Sequence, residues 1–436
     1  MSTQDVVTSP TGCPVSKVGM AFDPIGDEFR RDPQAFFAHA RSEDPVFYSP
    51  TVDAYVLTRY ADINAALLDA ETFSAAPAAD FVTMPCMAAV QKLLDAGFTP
   101  GAGGTVNEDE PAHRVHRDIF RRAFSRERLA YIEKDLAVWI PAYVDRFVKT
   151  GRADLVRDFM YEIPALAAFR MIGVPEADVD LVKTFALRTT ELNFGWPSEE
   201  EQVQLASEMA EFWKYVVRLV DRTYEEPNDS FLSEIIELGK EPEFSEIIDR
   251  SLVVMMAAGV LFAGHETTTN GAGNAFLGLL RNPDEWARLC ADPSLIPSAV
   301  EETLRYHAAA PIWRRRTTRP VTVSGVDIPE GALVFLGFAS ANRDPEKFED
   351  PDRLDVAREN ARSHMTFGWG RHKCLGAGLA RIELAMAIKE IAERIPHIRL
   401  VEGQKLEFTE SLVFRGPTHL YAEWDPAQNP RPQDRP

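Results

Sequence analysis

The sequence predicts a mainly α-helical chain, folded as one large domain with small β-sheets along one edge. Three observations lead there. An apolar stretch from about Ile247 to Leu280 runs without proline and suits a helix crossing the whole molecule. Most of the remaining chain reads as helix, with strands only in short pieces. Although 436 residues exceed the usual domain size, no linker divides the stretch from Phe22 to Trp424, and 45% hydrophobic content can fill a substantial core.

In chain order, residues 1–21 are expected as a flexible N-terminal segment and 22–424 as the folded domain. Helices are expected at Pro33–Ser42 and Tyr60–Ala70, around a hairpin of Val46–Ser49 and Ala54–Thr58. From Phe73 to Val106 regularity falls away, with Gly101, Gly103 and Gly104 among small residues. Helices resume at Pro111–Phe124, Arg126–Lys149, Pro164–Ile172, Pro175–Arg188 and Ser198–Tyr224, followed by the long apolar one. Beyond it come a helix at Pro297–His307 and short strands at Val321–Val323 and Leu333–Phe338. A helix at Gly376–Ile395 and strands at Leu406–Phe408 and His419–Ala422 complete the domain. Residues 425–436 carry four prolines in twelve and nothing apolar beyond alanine, which is the composition of a semi-rigid linker.

A net charge of −20 argues against nucleic acid as a partner. Gly264, His265, Glu266 and Asn270 interrupt the apolar stretch, so it is not expected to span a membrane. Met1–Lys17 lacks the pattern of a secretory signal. The four cysteines, Cys13, Cys86, Cys290 and Cys374, have no metal-finger spacing, and a reducing cytoplasm fits them.

Chemistry concentrates in Phe367-Gly368-Trp369-Gly370-Arg371-His372-Lys373-Cys374-Leu375-Gly376, a glycine-punctuated loop that delivers one cysteine to the start of a helix. A helix N-terminus offers unpaired N–H groups and positive dipole, which favour a thiolate there. Each N–H bond to a charged sulfur is worth about 1.5 to 3 kcal/mol. Gly368, Gly370 and Gly376 permit turns and close approach to a flat ring, and Phe367 shields the sulfur. The arrangement suits a thiolate held against a haem iron; a plain buried cysteine is the alternative. Upstream by 72 residues stands Glu302-Thr303-Leu304-Arg305, whose acid and base lie on one helix face and can hold a third segment of chain.

These two motifs, with Ala341-Asn342-Arg343-Asp344-Pro345 between them, resemble the haem-ligand loop, Glu-x-x-Arg helix and meander of cytochrome P450 enzymes. The resemblance implies the P450 fold around a buried haem b, with Cys374 as iron ligand and Phe367, Gly368 and Gly376 beside the cofactor. Glu302 and Arg305 are then structural. Ala263-Gly264-His265-Glu266-Thr267-Thr268 resembles the family's acid and alcohol pair, in which Thr267 steadies bound dioxygen and Glu266 relays protons. Read from the residues alone, the threonines instead bond back to carbonyls at i−4 and bend the helix. Haem propionates call for cations or strong donors; by resemblance these are His113, Arg117, His372 and Arg315, with Arg314 a near rival.

The family's scheme places Phe194, Trp196, Met255, Ala258 and Gly259 around the substrate. It adds Ala263, Ala310, Ile312, Leu412 and Val413, an apolar set with several small members. The implied activity is dioxygen-dependent hydroxylation or O-dealkylation of a small apolar or aromatic molecule, with electrons from NAD(P)H through a reductase. A peroxide-driven peroxygenase and a non-enzymatic haem sensor are the alternatives. Arg114, Arg117, Arg121, Arg122, Arg126, Arg128, Arg371 and Lys373 suggest a positive docking face for an acidic ferredoxin or reductase. Asn107–His113, Ala263–Thr268 and Phe414–His419 resemble self-sufficient bacterial members, whose haem domain is fused to a flavin and iron–sulfur reductase; the proline-rich end would then begin a tether.

Overall fold

A computed structural model describes residues 8–12, 14–98, 104–124, 126–186 and 189–430. Cys13, Gly101, Gly103, Arg188 and 431–436 lie outside the described residues, as do the side chains of Arg126 and Arg128.

The expected hairpin forms between Val46–Ser49 and Ala54–Leu57, with Val46 opposite Leu57. Ala54–Leu57 also pairs in parallel with Leu333–Leu336, which pairs antiparallel with Trp313–Thr317, and Phe73–Ser74 closes the edge. All four residues of Ala54–Leu57 are buried, so an unbroken apolar run is what a central strand requires. A second sheet joins Arg152–Asp154, Tyr421–Glu423 and Arg399–Leu400. The strand expected at Leu406–Phe408 is absent, and Phe408 makes a single isolated bridge to Pro417.

The long apolar stretch is two helices, Arg250–Gly264 and Glu266–Arg281, meeting at His265. Asp249 caps the first by accepting the Leu252 N–H at 2.8 Å. At the break the Thr267 hydroxyl donates to the Ala263 carbonyl at 2.8 Å, and the His265 ring bonds the Tyr161 carbonyl at 2.7 Å. Side-chain groups that compete for backbone partners bend helices in this way. By length and composition alone, residues 250–281 include an 18-residue window apolar enough to cross a membrane. Half of that window is buried within the protein, and Leu261, Phe276 and Leu277 are in the main core, as befits a central core helix.

Several elements depart from the expected ones. The stretch 73–106 contains a helix, Met87–Asp95, whose Ala89 and Leu93 pack with Leu205, Ala206 and Met209 of the Glu199–Glu225 helix. Further helices occupy Thr189–Phe194, Phe231–Leu238 and Pro283–Ala291. Ordered structure starts before residue 22: Ser16 caps a helical turn, Lys17–Ala21, with Val18 buried. At the other end the first residues of the proline-rich segment lie on the body, where Asn429 Nδ2 donates to the Val148 carbonyl at 2.9 Å.

Candidate active site

The cysteine loop is folded back on itself, with the Cys374 N–H donating to the Phe367 carbonyl at 2.8 Å. Gly368 and Gly370 have φ of +65° and +69°, conformations that favour glycine, and a Cβ on Gly370 would stand 2.8 Å from the Leu67 carbonyl oxygen. Gly376 differs from the expectation: its φ is −75°, so it is no left-handed turn. A Cβ there would lie 3.9 Å from the Cys374 sulfur, in ordinary contact. Gly376 immediately precedes the helix Ala377–Arg394. Burial pushes the Cys374 thiol up, while the N–H groups of Gly376 and Ala377 and the charges of Arg117 and Arg381 pull it back. The cysteine residue nonetheless keeps accessible surface.

Beside this loop four polar side chains converge. The His113 and His372 rings lie 3.9 Å apart, and the buried His113 Nε2 has no hydrogen-bond partner among the described residues. Burial lowers both histidines, His372 to about 3, so both are neutral near pH 7. The Arg117 guanidinium reaches the Lys373 carbonyl. Successive residues of Trp313–Thr317 point to opposite faces, which separates the two rival arginines. Arg314 is taken up by the carbonyls of Ala78 and Asp80. Arg315, just as buried, donates to the Arg314 carbonyl at 2.7 Å and lies close enough to His372 for their charges to interact.

On the central helix Met255, Gly259, Ala263 and Thr267 follow at intervals of four. Gly259 and Ala263 stay exposed although neighbouring Leu261 is fully buried, and a Cβ on Gly259 would meet nothing within 4 Å. Glu266 points elsewhere, into a cleft of 810 Å³ that also touches Tyr161, Thr190, Thr269 and Asn270. Burial raises its carboxyl to about 7, opposed by the Thr190 hydroxyl that donates to it.

The expected substrate residues divide into three groups. Phe194, Ile312, Leu412 and Val413 are buried in one apolar cluster with Phe414, against which Ala310 and Phe262 pack. Ile312 and Val413 are closed within that core and do not line a cavity. Met255 and Ala258 pack on the main core, beside the accessible Gly259 and Ala263. Trp196 does not join them: it lines the outer cleft with Glu266 and is 39% exposed.

Glu302 and Arg305 are both fully buried. Arg305 Nε and Nη2 donate to the two carboxylate oxygens at 2.7 and 2.8 Å, and Nη1 reaches the carbonyls of Asn342 and Pro351, each at 2.8 Å. Arg358 and the Asp355 N–H complete the carboxylate's partners. The pair thus ties the segment 342–358 to the Ile296–Tyr306 helix, the third segment that the spacing suggested. The basic face is less bare than its sequence implies. Arg121 and Arg122 pair with Asp118 at 2.6 and 3.1 Å, while Arg114 and Arg371 approach Glu110 at 3.8 and 3.7 Å.

Residues 194–399 match the family model described as Cytochrome P450. Cytochrome P450 107B1 of Saccharopolyspora erythraea is 35% identical over 407 residues, covering 91% of this chain and 95% of that protein. The chain belongs to the cytochrome P450 family. An intact type IV self-sufficient cytochrome P450 monooxygenase superimposes with a TM-score of 0.94 at 38% identity, over 99% of this chain and 56% of that one. The P450 haem domain of Tepidiphilus thermophilus superimposes at 0.91 with 37% identity, over 96% of this chain and all of that one. This chain thus spans little more than half of the intact enzyme.

As a P450 it is a monooxygenase that works with dioxygen, a redox partner and haem b. Its residues fit that cofactor. A cysteine with accessible surface stands just before a helix start, one line of the central apolar stretch keeps an accessible small-residue face, and an unpartnered buried imidazole stands among two arginines and a second histidine. Sequence reasoning missed Thr190 and Glu301. Thr190 gives no signal apart from its fold, whereas Glu301 stands next to Glu302 and its doubling was legible.

Proposed function

We propose that Cys374 is the thiolate ligand of haem b in a monooxygenase that hydroxylates or O-dealkylates small apolar or aromatic molecules, using electrons from NAD(P)H delivered by a flavin and iron–sulfur reductase. The observation that carries this is Cys374 itself, a residue with accessible surface whose sulfur meets the backbone N–H groups of Gly376 and Ala377 at the start of Ala377–Arg394. Bound there, haem b supplies the redox-active iron at which dioxygen is activated. Phe367, Gly368 and Gly376 border it on the cysteine side, and His113, Arg117, Arg315 and His372 take the propionates. As neutral imidazoles the two histidines serve as N–H donors and the arginines carry the charge.

Glu266 and Thr267 handle protons. A carboxyl whose pKa is about 7 takes up and releases protons at working pH, and Glu266 meets water in the outer cleft while its neighbour Thr267 shares the inner face with Gly259 and Ala263. Met255, Ala258, Gly259, Ala263 and Ala310 border the substrate; Phe194, Leu412, Ile312 and Val413 stiffen the wall behind it. This acid and alcohol pair favours dioxygen over peroxide as oxidant and an enzyme over a sensor. The likeness to an intact self-sufficient enzyme, 56% of which this chain covers, supports a fused reductase as donor, with the segment from 425 leading to its tether; the cysteine usage favours the cytoplasm as its place. The test compares oxidation of small aromatics with reductase and NAD(P)H against oxidation with hydrogen peroxide alone. Turnover that needs the reductase is expected. Absence of turnover with reductase and NAD(P)H, whether or not peroxide supports it, contradicts the reading.

A further inference from the structure

Two adjacent glutamates on the Ile296–Tyr306 helix face directions about 100° apart. Glu302 holds the meander through Arg305. Glu301 reaches the cysteine loop, where Arg381 of the Ala377–Arg394 helix clasps it with Nε and Nη2 at 2.7 and 3.0 Å. The third partner is buried His364. Its Nδ1 accepts the Thr366 N–H at 3.2 Å, so the neutral ring carries its proton on Nε2, 3.1 Å from Glu301 Oε2. These bonds keep Glu301 ionised, with its pKa lowered to about 2. Arg381 in turn stacks its guanidinium 4.5 Å from the centre of the Phe367 ring, and the Phe367 carbonyl accepts the Cys374 N–H.

The Arg381 cation therefore lies near enough to Cys374 for its charge to act on the thiol, with a carboxylate fixed behind it. Charges this close act on any electron density at the sulfur, in opposite senses for the arginine and the glutamate. We propose that Arg381 and Glu301 are positioning residues that set the electron-donating strength of the Cys374 thiolate, the arginine weakening it and the glutamate restoring it. This rests on Cys374 being the iron ligand. The planar, bidentate fork of arginine is what lets one side chain both clasp Glu301 and sit over the Phe367 ring.

The test is the reduction potential of the substrate-free holoprotein, with the Soret band of its ferrous carbon monoxide complex, at about pH 8.5, where an imidazole is neutral. Glu301→Gln should raise the potential and Arg381→Gln should lower it. Arg381→Lys should lie nearer to wild type than Arg381→Gln, because the charge remains. The double variant Glu301→Gln/Arg381→Gln should return close to the wild-type value, and it serves where a single variant loses haem. Shifts of the same sign in both single variants, or a double variant as displaced as either single one, would overturn the proposal and leave a merely structural clasp. A wild-type protein without the red-shifted thiolate band would instead overturn the ligand assignment beneath it.

Discussion

Glu266→Gln keeps the shape of the side chain and removes its ability to pass a proton. In the folded protein the carboxyl is raised from 4.5 to about 7 by burial, with Glu191 pushing the same way and Thr190 and Asn270 opposing. With that value about half of the molecules hold the proton at pH 7 and about a tenth at pH 8; at the ordinary value only about three in a thousand would hold it at pH 7. Product formed per NAD(P)H oxidised should therefore fall about fivefold in the wild type between pH 7 and pH 8, if Glu266 supplies the proton. The glutamine variant should be poorly coupled at every pH, with electrons lost to hydrogen peroxide while NAD(P)H oxidation continues. Product and NAD(P)H measured together across this range provide the assay. A wild type whose coupling is flat in pH, or a variant that couples as well as wild type, would refute the relay and leave Glu266 a structural acid.

Glu302→Ala strands the fully buried Arg305 and should cost about 3 to 5 kcal/mol, read as a lower denaturant midpoint with haem loss. Glu383 is 1% exposed, its two oxygens have no partner among the described residues, and burial raises it to about 8. The folded state keeps this proton while the unfolded chain releases it near 4.5, so stability falls as pH rises from about 4.5 to 8, by about 5 kcal/mol at the upper end. Glu383→Gln should flatten that decline in a pH series of unfolding midpoints. Arg121→Glu with Arg122→Glu should slow reduction by a separate donor and spare peroxide-supported turnover. The loss should be moderate, since Asp118 already offsets both arginines, and should shrink with added salt.

The features legible in the sequence were those whose chemistry is local. Glu302 and Arg305 meet because i and i+3 share a helix face, and the cysteine sits at a helix start because glycines permit the loop before it. Features set by packing were not legible. The helix Met87–Asp95 is stabilised by Leu205 and Met209, more than a hundred residues away, and its own residues read as irregular. Trp196 looked like a pocket residue until the chain turned it to the outer cleft. The arginine-rich helix reads as a positive face in the sequence, but Asp118 and Glu110, interspersed among the arginines, offset part of that charge once folded. The arginine pair at 314 and 315 needed strand alternation and the carbonyls of Ala78 and Asp80 to be told apart.

The central claim is that Cys374 is the thiolate bound to haem iron, and the ferrous carbon monoxide spectrum tests it most directly. The wild-type holoprotein should show the strongly red-shifted Soret band of a thiolate donor, and Cys374→His should abolish it even where haem is retained. Alanine at Cys86 or Cys290 should leave the band intact. A Cys374→His spectrum identical to wild type would contradict the account.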